Sequence, residues 1–343
     1  MGSAADRLKA GESLDEGVAT VDLPLELQNA IGSELARVSP RKLAVTVAEL
    51  SERYRAGSEG TSGAFLRSAD DIAAYTAFRF PATYAAIFAV LIGLRDQLPA
   101  WRPKSLLDVG AGPGTALWAA AETWPDLQSV TMLEREDGMI ALGRRIAQAS
   151  PLAVVRDAIW QKADVTGAWD VAPHGMVTCA YVLGELQQDD RCRLVERLWE
   201  VTSGVLVLIE PGTVAGSARI REAREQVLKL GGKTAAPCPH DSRCPLPKDD
   251  WCHFSQRAAR SRLHRQVKSG ELGYEDEKFS YVAVARIPVE PILGRILRHP
   301  RIGKGHVKLT LCTPQGLESK VVTRKDKELY RKVRDLGWGS AVR

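Results

Sequence analysis

The feature that most limits the fold is the stretch from Ser105 to Thr123. A short apolar strand, residues 105–109, runs into Asp108-Val-Gly110-Ala-Gly112-Pro-Gly114, and a helical stretch, 116–123, follows at once. Strand, glycine turn and helix in that order put backbone N–H groups and the positive end of a helix where a ligand can come close. The alternation then continues, with strands expected at 129–134, 153–155, 175–181 and 204–211, and helices at 139–149 and 190–201. This grammar predicts a parallel, doubly wound α/β sheet with ligands at the carboxyl ends of its strands. Residues 1–100 read as helical, with apolar periodicity at 23–31 and 43–54, a Gly/Ser loop at 57–63, and a helical pair over 71–87 bent at Pro81. After the fifth strand come a helix at 215–230, a Cys/Pro-rich segment at 236–255, and two strands at 279–286 and 306–312 around a basic loop, 295–304. Four regions follow: an N-terminal helical region (1–100), a Rossmann-like core (101–230), a Cys-rich insert (231–265), and C-terminal strands that complete the sheet and carry a basic loop and tail (266–343).

The glycine spacing departs from the dinucleotide fingerprint G-x-G-x-x-G, because the third glycine arrives one residue early. Asp108, at the strand end, suits a cationic amino group better than a pyrophosphate. The combination resembles motif I of class I S-adenosylmethionine (SAM) methyltransferases. That resemblance implies that Asp108, Gly110, Gly112 and Gly114 hold the methionine half of the cofactor. Glu134, about twenty residues beyond, is placed to accept the ribose hydroxyls, and Asp164 is a candidate for the adenine amino group. The fourth strand ends in Cys179-Ala-Tyr181-Val-Leu-Gly184-Glu185. It lacks the Asn/Asp-Pro-Pro-aromatic sequence that amino-methylating enzymes on nucleic acid place there. Cys179 reads as a core residue. Glu185 is the one candidate base, and equally a helix-start carboxylate.

Three of the six cysteines, Cys238, Cys244 and Cys252, fall in a proline-stiffened loop, and Cys312 on a late strand could add a fourth thiolate. In a reducing compartment such a group favours metal over disulfide. The spacing is not the C-x₂-C of zinc ribbons, and irregular Cys-Pro steps suit an iron–sulfur cluster. His240 and His253 keep zinc open as an alternative. Charge is equally uneven. Residues 254–343 carry 20 Lys+Arg against 9 Asp+Glu, a balance of +11, while the remainder carries 27 against 33. A local basic surface of this kind is the footprint of a polyanion binder, and nucleic acid is the usual partner.

Taken together, these segments resemble one family, the methyltransferase-like proteins associated with the small ribosomal subunit, which has mitochondrial members. The resemblance rests on Tyr75…Arg79-Phe-Pro-Ala-Thr-Tyr84, Asp108–Gly114, Glu210-Pro-Gly-Thr, Ala236-Pro-Cys-Pro-His, Asp250-Trp-Cys-His-Phe-Ser-Gln-Arg and Cys312-Thr-Pro-Gln-Gly. It implies a SAM-binding Rossmann-like domain, a [4Fe–4S] cluster on Cys238, Cys244, Cys252 and Cys312, and a role at the small ribosomal subunit and its rRNA. A SAM-dependent methyltransferase acting on rRNA is the first expectation. A non-catalytic assembly factor is the alternative, and a small-molecule methyltransferase with a zinc site comes last. The sequence shows no apolar run approaching a membrane span and no signal or presequence at its start, so a cytoplasmic protein of a bacterial branch is expected, with no membrane partner. Nothing demands more than a monomer.

Overall fold

The computed structural model describes residues 19–36, 38–56, 68–247, 249–260 and 273–343. The N-terminal segment, the Gly/Ser loop at 57–63 and part of the basic region (261–272) lie outside the described residues. A short strand β1 (Thr20–Val21) precedes three helices, α1 (Leu25–Leu35), α2 (Pro40–Ala56) and α3 (Ala69–Gln97). The helical pair expected around Pro81 is one 29-residue helix. Proline disfavours a helix interior by about 3 kcal/mol, and tertiary burial offsets this. Phe80, Tyr84, Phe88, Leu91 and Leu94 are all buried against the sheet and its helices, each contributing roughly 1.5–3 kcal/mol. By length and composition α3 could cross a membrane, but two thirds (67%) of its apolar window is buried within the protein.

The alternating region gives β2 (Ser105–Val109), α4 (Thr115–Thr123), β3 (Ser129–Glu134), α5 (Asp137–Ala147), α6 (Ala153–Arg156), β4 (Ile159–Lys162), β5 (His174–Ala180), α7 (Gln188–Glu200), β6 (Thr202–Pro211) and α8 (Val214–Lys229). The strand expected at 153–155 is instead the short helix α6. Its Val155 is fully buried in the core shared with α4 and α5, and the third parallel strand begins four residues later. Beyond α8 come β7 (Lys233–Ala236), β8 (Phe254–Ala259) and β9 (Tyr274–Ala285). The main sheet runs β1-β8-β9-β6-β5-β2-β3-β4, with β7 also on β9. From β6 to β4 it is parallel, whereas β9 joins antiparallel to β6. The sheet is therefore mixed rather than all parallel. One apolar core fills the face under α1–α6, and a second lies under α7 and α8.

Of the two strands expected to complete this sheet, 279–286 does so within β9, whereas 306–312 does not. β10 (Gly294–Ile296), β11 (Arg301–Gly303), β12 (His306–Thr313), β13 (Gly316–Thr323) and β14 (Ala341–Val342) form a second antiparallel sheet. With helix α9 (Lys327–Val333) they enclose their own core of Ile296, Val307, Leu309, Leu311, Val322, Val333 and Val342. The alternation of β12 explains the separation, since Val307, Leu309 and Leu311 need a covered face while His306, Lys308 and Thr310 stay in water.

Candidate cofactor site and cysteine-rich loop

Strand order reverses between β2 and β5, and the crevice outside their carboxyl ends is where a doubly wound sheet takes its ligand. The glycine turn occupies this point. Gly110, Gly112 and Gly114 have φ of 73°, 53° and 91°, backbone that side-chain-bearing residues rarely adopt. A Cβ on Gly110 would stand 2.3 Å from Val182 Cγ2, and one on Gly114 would meet the Trp160 ring at 3.1 Å. Nothing lies within 4 Å of the Cβ position of Gly112, so that residue faces open space.

The carboxylates behave differently from one another. Glu134 ends β3 buried, and its Oε2 accepts the Gly112 N–H at 2.8 Å while Oε1 accepts the N–H groups of Arg135 and Glu136, each at 2.9 Å. One side chain thus ties the glycine turn to the start of α5. Asp108 is 2% exposed and accepts the Thr178 hydroxyl at 2.6 Å. Burial pushes its carboxyl up to about 7, with the Thr178 hydrogen bond opposing and the Glu134 charge adding to the rise. Asp164 lies two residues past β4 and closes its own turn, accepting the Thr166 N–H at 2.8 Å and hydroxyl at 2.7 Å. These bonds hold its carboxyl below the usual range. Glu185 is exposed at the end of a 3₁₀ turn, Leu183–Glu185, 3.8 Å from Arg135. The structure therefore brings Asp108, the three glycines and Glu134 together, with Asp164 and Glu185 flanking them.

A group that the sequence reading passed over faces the same cleft. Arg79 of α3 forms a bidentate pair with Glu277 of β9 at 3.2 and 2.9 Å, and Tyr181 donates its hydroxyl to Glu277 at 3.2 Å. The Arg79 guanidinium lies 5.6 Å from the centre of the Tyr181 ring. Tyr181 itself has φ of 61°, strain that persists only when its surroundings fix it. Tyr75, one turn before Arg79, is pushed up to about 12 by burial, against Arg79 and with Glu185 and Glu134 adding to the rise. A Tyr and an Arg four residues apart in an otherwise apolar helix were the available signal.

In the cysteine-rich loop the four thiols lie within electrostatic reach of one another. Burial raises Cys238, Cys252 and Cys312, the last to about 12, and neighbouring thiols add to each rise. Cys312 Sγ is 3.5 Å from His240 Nε2. Among the described residues, no group of three or more His, Cys, Asp or Glu side chains is set to hold a metal ion. The loop is pinned by distant arginines. Arg295 of β10 donates to the Pro237 and Gly339 carbonyls at 2.9 and 3.0 Å, and Arg224 of α8 donates to the carbonyls of His240 and Ser242. Both arginines are buried, and among the described residues neither is in an ion pair and Arg224 Nε has no partner. Trp251 Nε1 donates to Gly212 O at 3.0 Å, and the Ser280 hydroxyl donates to Cys252 O at 2.7 Å. His253 stacks on Trp251.

A mixed sheet with a glycine turn and an acidic strand end at its switch point places the chain in the doubly wound class of α/β proteins. Within that class the chain belongs to the family described as mitochondrial small ribosomal subunit Rsm22, whose model matches residues 69–343. It is 31% identical over 296 residues to the human ribosome assembly protein METTL17, mitochondrial, covering 78% of this chain and 61% of that protein. It is 24% identical over 328 residues to Rsm22-cox11 tandem protein 2, mitochondrial, of Schizosaccharomyces pombe, covering 78% of this chain and 42% of that one. The chain thus spans only part of the length of these relatives. Among solved structures, a magnesium protoporphyrin IX methyltransferase from Synechocystis with bound SAM superposes with a TM-score of 0.41 at 12% identity, covering 69% of this chain and 90% of that one. That likeness is too slight to speak to function. The relatives are mitochondrial by name, which overturns the cytoplasmic location expected from the first residues. A first segment without a recognised signal does not set the compartment.

Proposed function

We propose that this chain is a SAM-binding, methyltransferase-like protein of the small ribosomal subunit, with rRNA as its polyanionic partner. The observation that carries this reading is the glycine turn, with Gly112 facing open space and Glu134 drawn up against its N–H. In this reading Gly110, Gly112 and Gly114 give the cofactor close backbone approach. Glu134 receives the ribose hydroxyls, Asp108 holds the amino group of the methionine half, and Asp164 offers its second oxygen to the adenine amino group. SAM supplies an electrophilic methyl group when bound, and the chain contributes position and exclusion of water. The RNA-facing surface is the outer side of the second sheet. Lys308 pairs in register with Arg301 on one side and Val321 on the other, and His306 with Thr323. These side chains are exposed, and neither Arg301 nor Lys308 is in an ion pair among the described residues.

We also assign the four cysteines, Cys238, Cys244, Cys252 and Cys312, to a metal–thiolate centre. Buried guanidinium charges without a carboxylate are unfavourable, and thiolates beside Arg224 and Arg295 would balance them. An all-sulfur donor set suits a [4Fe–4S] cluster, with zinc the alternative. A second reading, an assembly factor that binds SAM without spending it, is favoured by Tyr181. Its hydroxyl is bonded to Glu277, and Glu185, the candidate base at the end of β5, sits exposed 3.8 Å from Arg135. Anaerobically purified protein, labelled SAM and immature small subunits from cells lacking the protein separate the two. Label in the rRNA that disappears in Asp108→Ala establishes methyl transfer. Saturable binding of SAM and subunits without label establishes the assembly factor, and absence of subunit binding sinks both.

A further inference from the structure

At the opposite edge of the main sheet from the second sheet, α5, α6 and β4 form an open surface cavity of about 280 Å³ lined by Arg144, Arg145, Gln148, Arg156, Ala158 and Trp160. Three of these six residues are arginines and none is acidic. Local packing gathers them. A Cβ on Gly143 would stand 2.2 Å from the Trp160 ring, so only glycine lets α5 lie flat on the indole and bring Arg144 and Arg145 over the cavity. Each guanidinium is then fixed by part of its donor set. Arg144 Nη2 donates to Trp160 O at 3.0 Å, and Arg156 Nη1 donates to Ser150 O at 2.8 Å. Arg145 donates Nε and Nη2 to Glu34 Oε2 at 3.0 and 2.9 Å. A guanidinium has five N–H donors, so among the described residues most remain free in all three, and one carboxylate offsets only one of the three charges.

We infer that this cavity is a phosphate-binding site and that its occupant is a backbone phosphate of RNA. Pre-positioned arginines with spare donors match phosphate oxygens in number and geometry. An open cavity of this size takes a phosphate group with its water. RNA is the source favoured here because the exposed cations of the second sheet offer an extended polyanion a second contact. Six inter-strand steps separate β8 from β4, roughly 29 Å at about 4.8 Å each, so one RNA could touch both edges. The inference rests on the RNA-binding reading for its source, but not for the site itself.

The test compares the intact protein with Arg144→Gln/Arg156→Gln, with Arg145→Gln as a variant that leaves both carbonyl contacts intact. Affinity for a small-subunit rRNA fragment is measured across a salt series, and thermal unfolding is measured in inorganic phosphate against chloride at equal ionic strength. The double variant is expected to bind RNA about tenfold more weakly, with the log–log salt slope reduced by about one. Arg145→Gln is expected to move both in the same direction by less. Phosphate should raise the unfolding temperature of the unmodified protein but not of the double variant. Unchanged RNA affinity and slope in both variants overturns the RNA assignment, and phosphate stabilisation would then leave a free-anion site. No phosphate effect and no RNA effect overturns the site altogether. If the unmodified protein binds no RNA, the functional reading fails, and the phosphate measurement alone decides the site.

Discussion

The glycine turn and the cysteine-rich loop are built in opposite ways. Around the turn, the main polar links join the ends of neighbouring parallel strands. Gly110 N–H reaches Leu133 O at 2.9 Å, Glu134 takes the Gly112 N–H, and Thr178 holds Asp108. The cysteine loop is held instead by Arg224 of α8, Ser280 of β9, Arg295 of β10 and Cys312 of β12. The first site is finished once the parallel sheet has formed. The second exists only when the second sheet has docked, so damage to either should leave the other largely intact.

Arg295→Leu should give the largest effect. It leaves the Pro237 and Gly339 carbonyls without a donor at about 1–3 kcal/mol each. Thermal unfolding should fall accordingly, and proteolysis should open the chain within 237–253, with SAM affinity changed less than about twofold. Gly110→Ala should do the reverse. A left-handed backbone with a side chain costs roughly 1–2 kcal/mol before the Val182 clash is added, so SAM binding should be lost while the cysteine loop keeps its protease resistance. A loop opened by Gly110→Ala would break the comparison.

Asp108 sharpens it through pH. Its folded pKa, about 7, lies above the unfolded value, so the ligand-free protein loses stability as pH rises from about 4 to about 7. A cationic amino group favours the carboxylate, so SAM affinity should climb with pH up to about 7 and then level off. Asp108→Asn should bind more weakly with a flat profile, and calorimetry across that range checks both. The smallest effect belongs to Lys308→Gln on the second sheet. Stability should stay within about 0.5 kcal/mol, while the salt slope of RNA binding falls by a little under one.

What could be read beforehand follows the same division. The residues around Gly110 to Gly114 and Glu134 were legible because strand, turn and helix are contiguous and each imposes its own spacing. Residues 153–155 were misjudged because three apolar residues fit a strand or one helical turn equally well, and Val155 packs as the latter. The helix through Pro81 was hidden because local propensity was overridden by packing on every side. Of the Arg79–Glu277–Tyr181 group only Arg79 left a local mark, four residues after Tyr75 on α3. The group's members lie 198 and 96 residues apart, and no local spacing records that three elements meet at one cleft. The second sheet was missed for a related reason, since alternation on β12 shows that one face is buried but not what covers it.

The most direct test of the central claim is equilibrium SAM binding by calorimetry to the intact protein and to Glu134→Gln. Glu134 is the one side chain that joins the glycine turn to the expected ribose position. The account predicts saturable one-to-one binding that weakens more than about tenfold in Glu134→Gln, the loss expected when a charged hydrogen-bond acceptor is removed. No saturable binding, or the same affinity in both proteins, would contradict the assignment of the glycine turn as a SAM site.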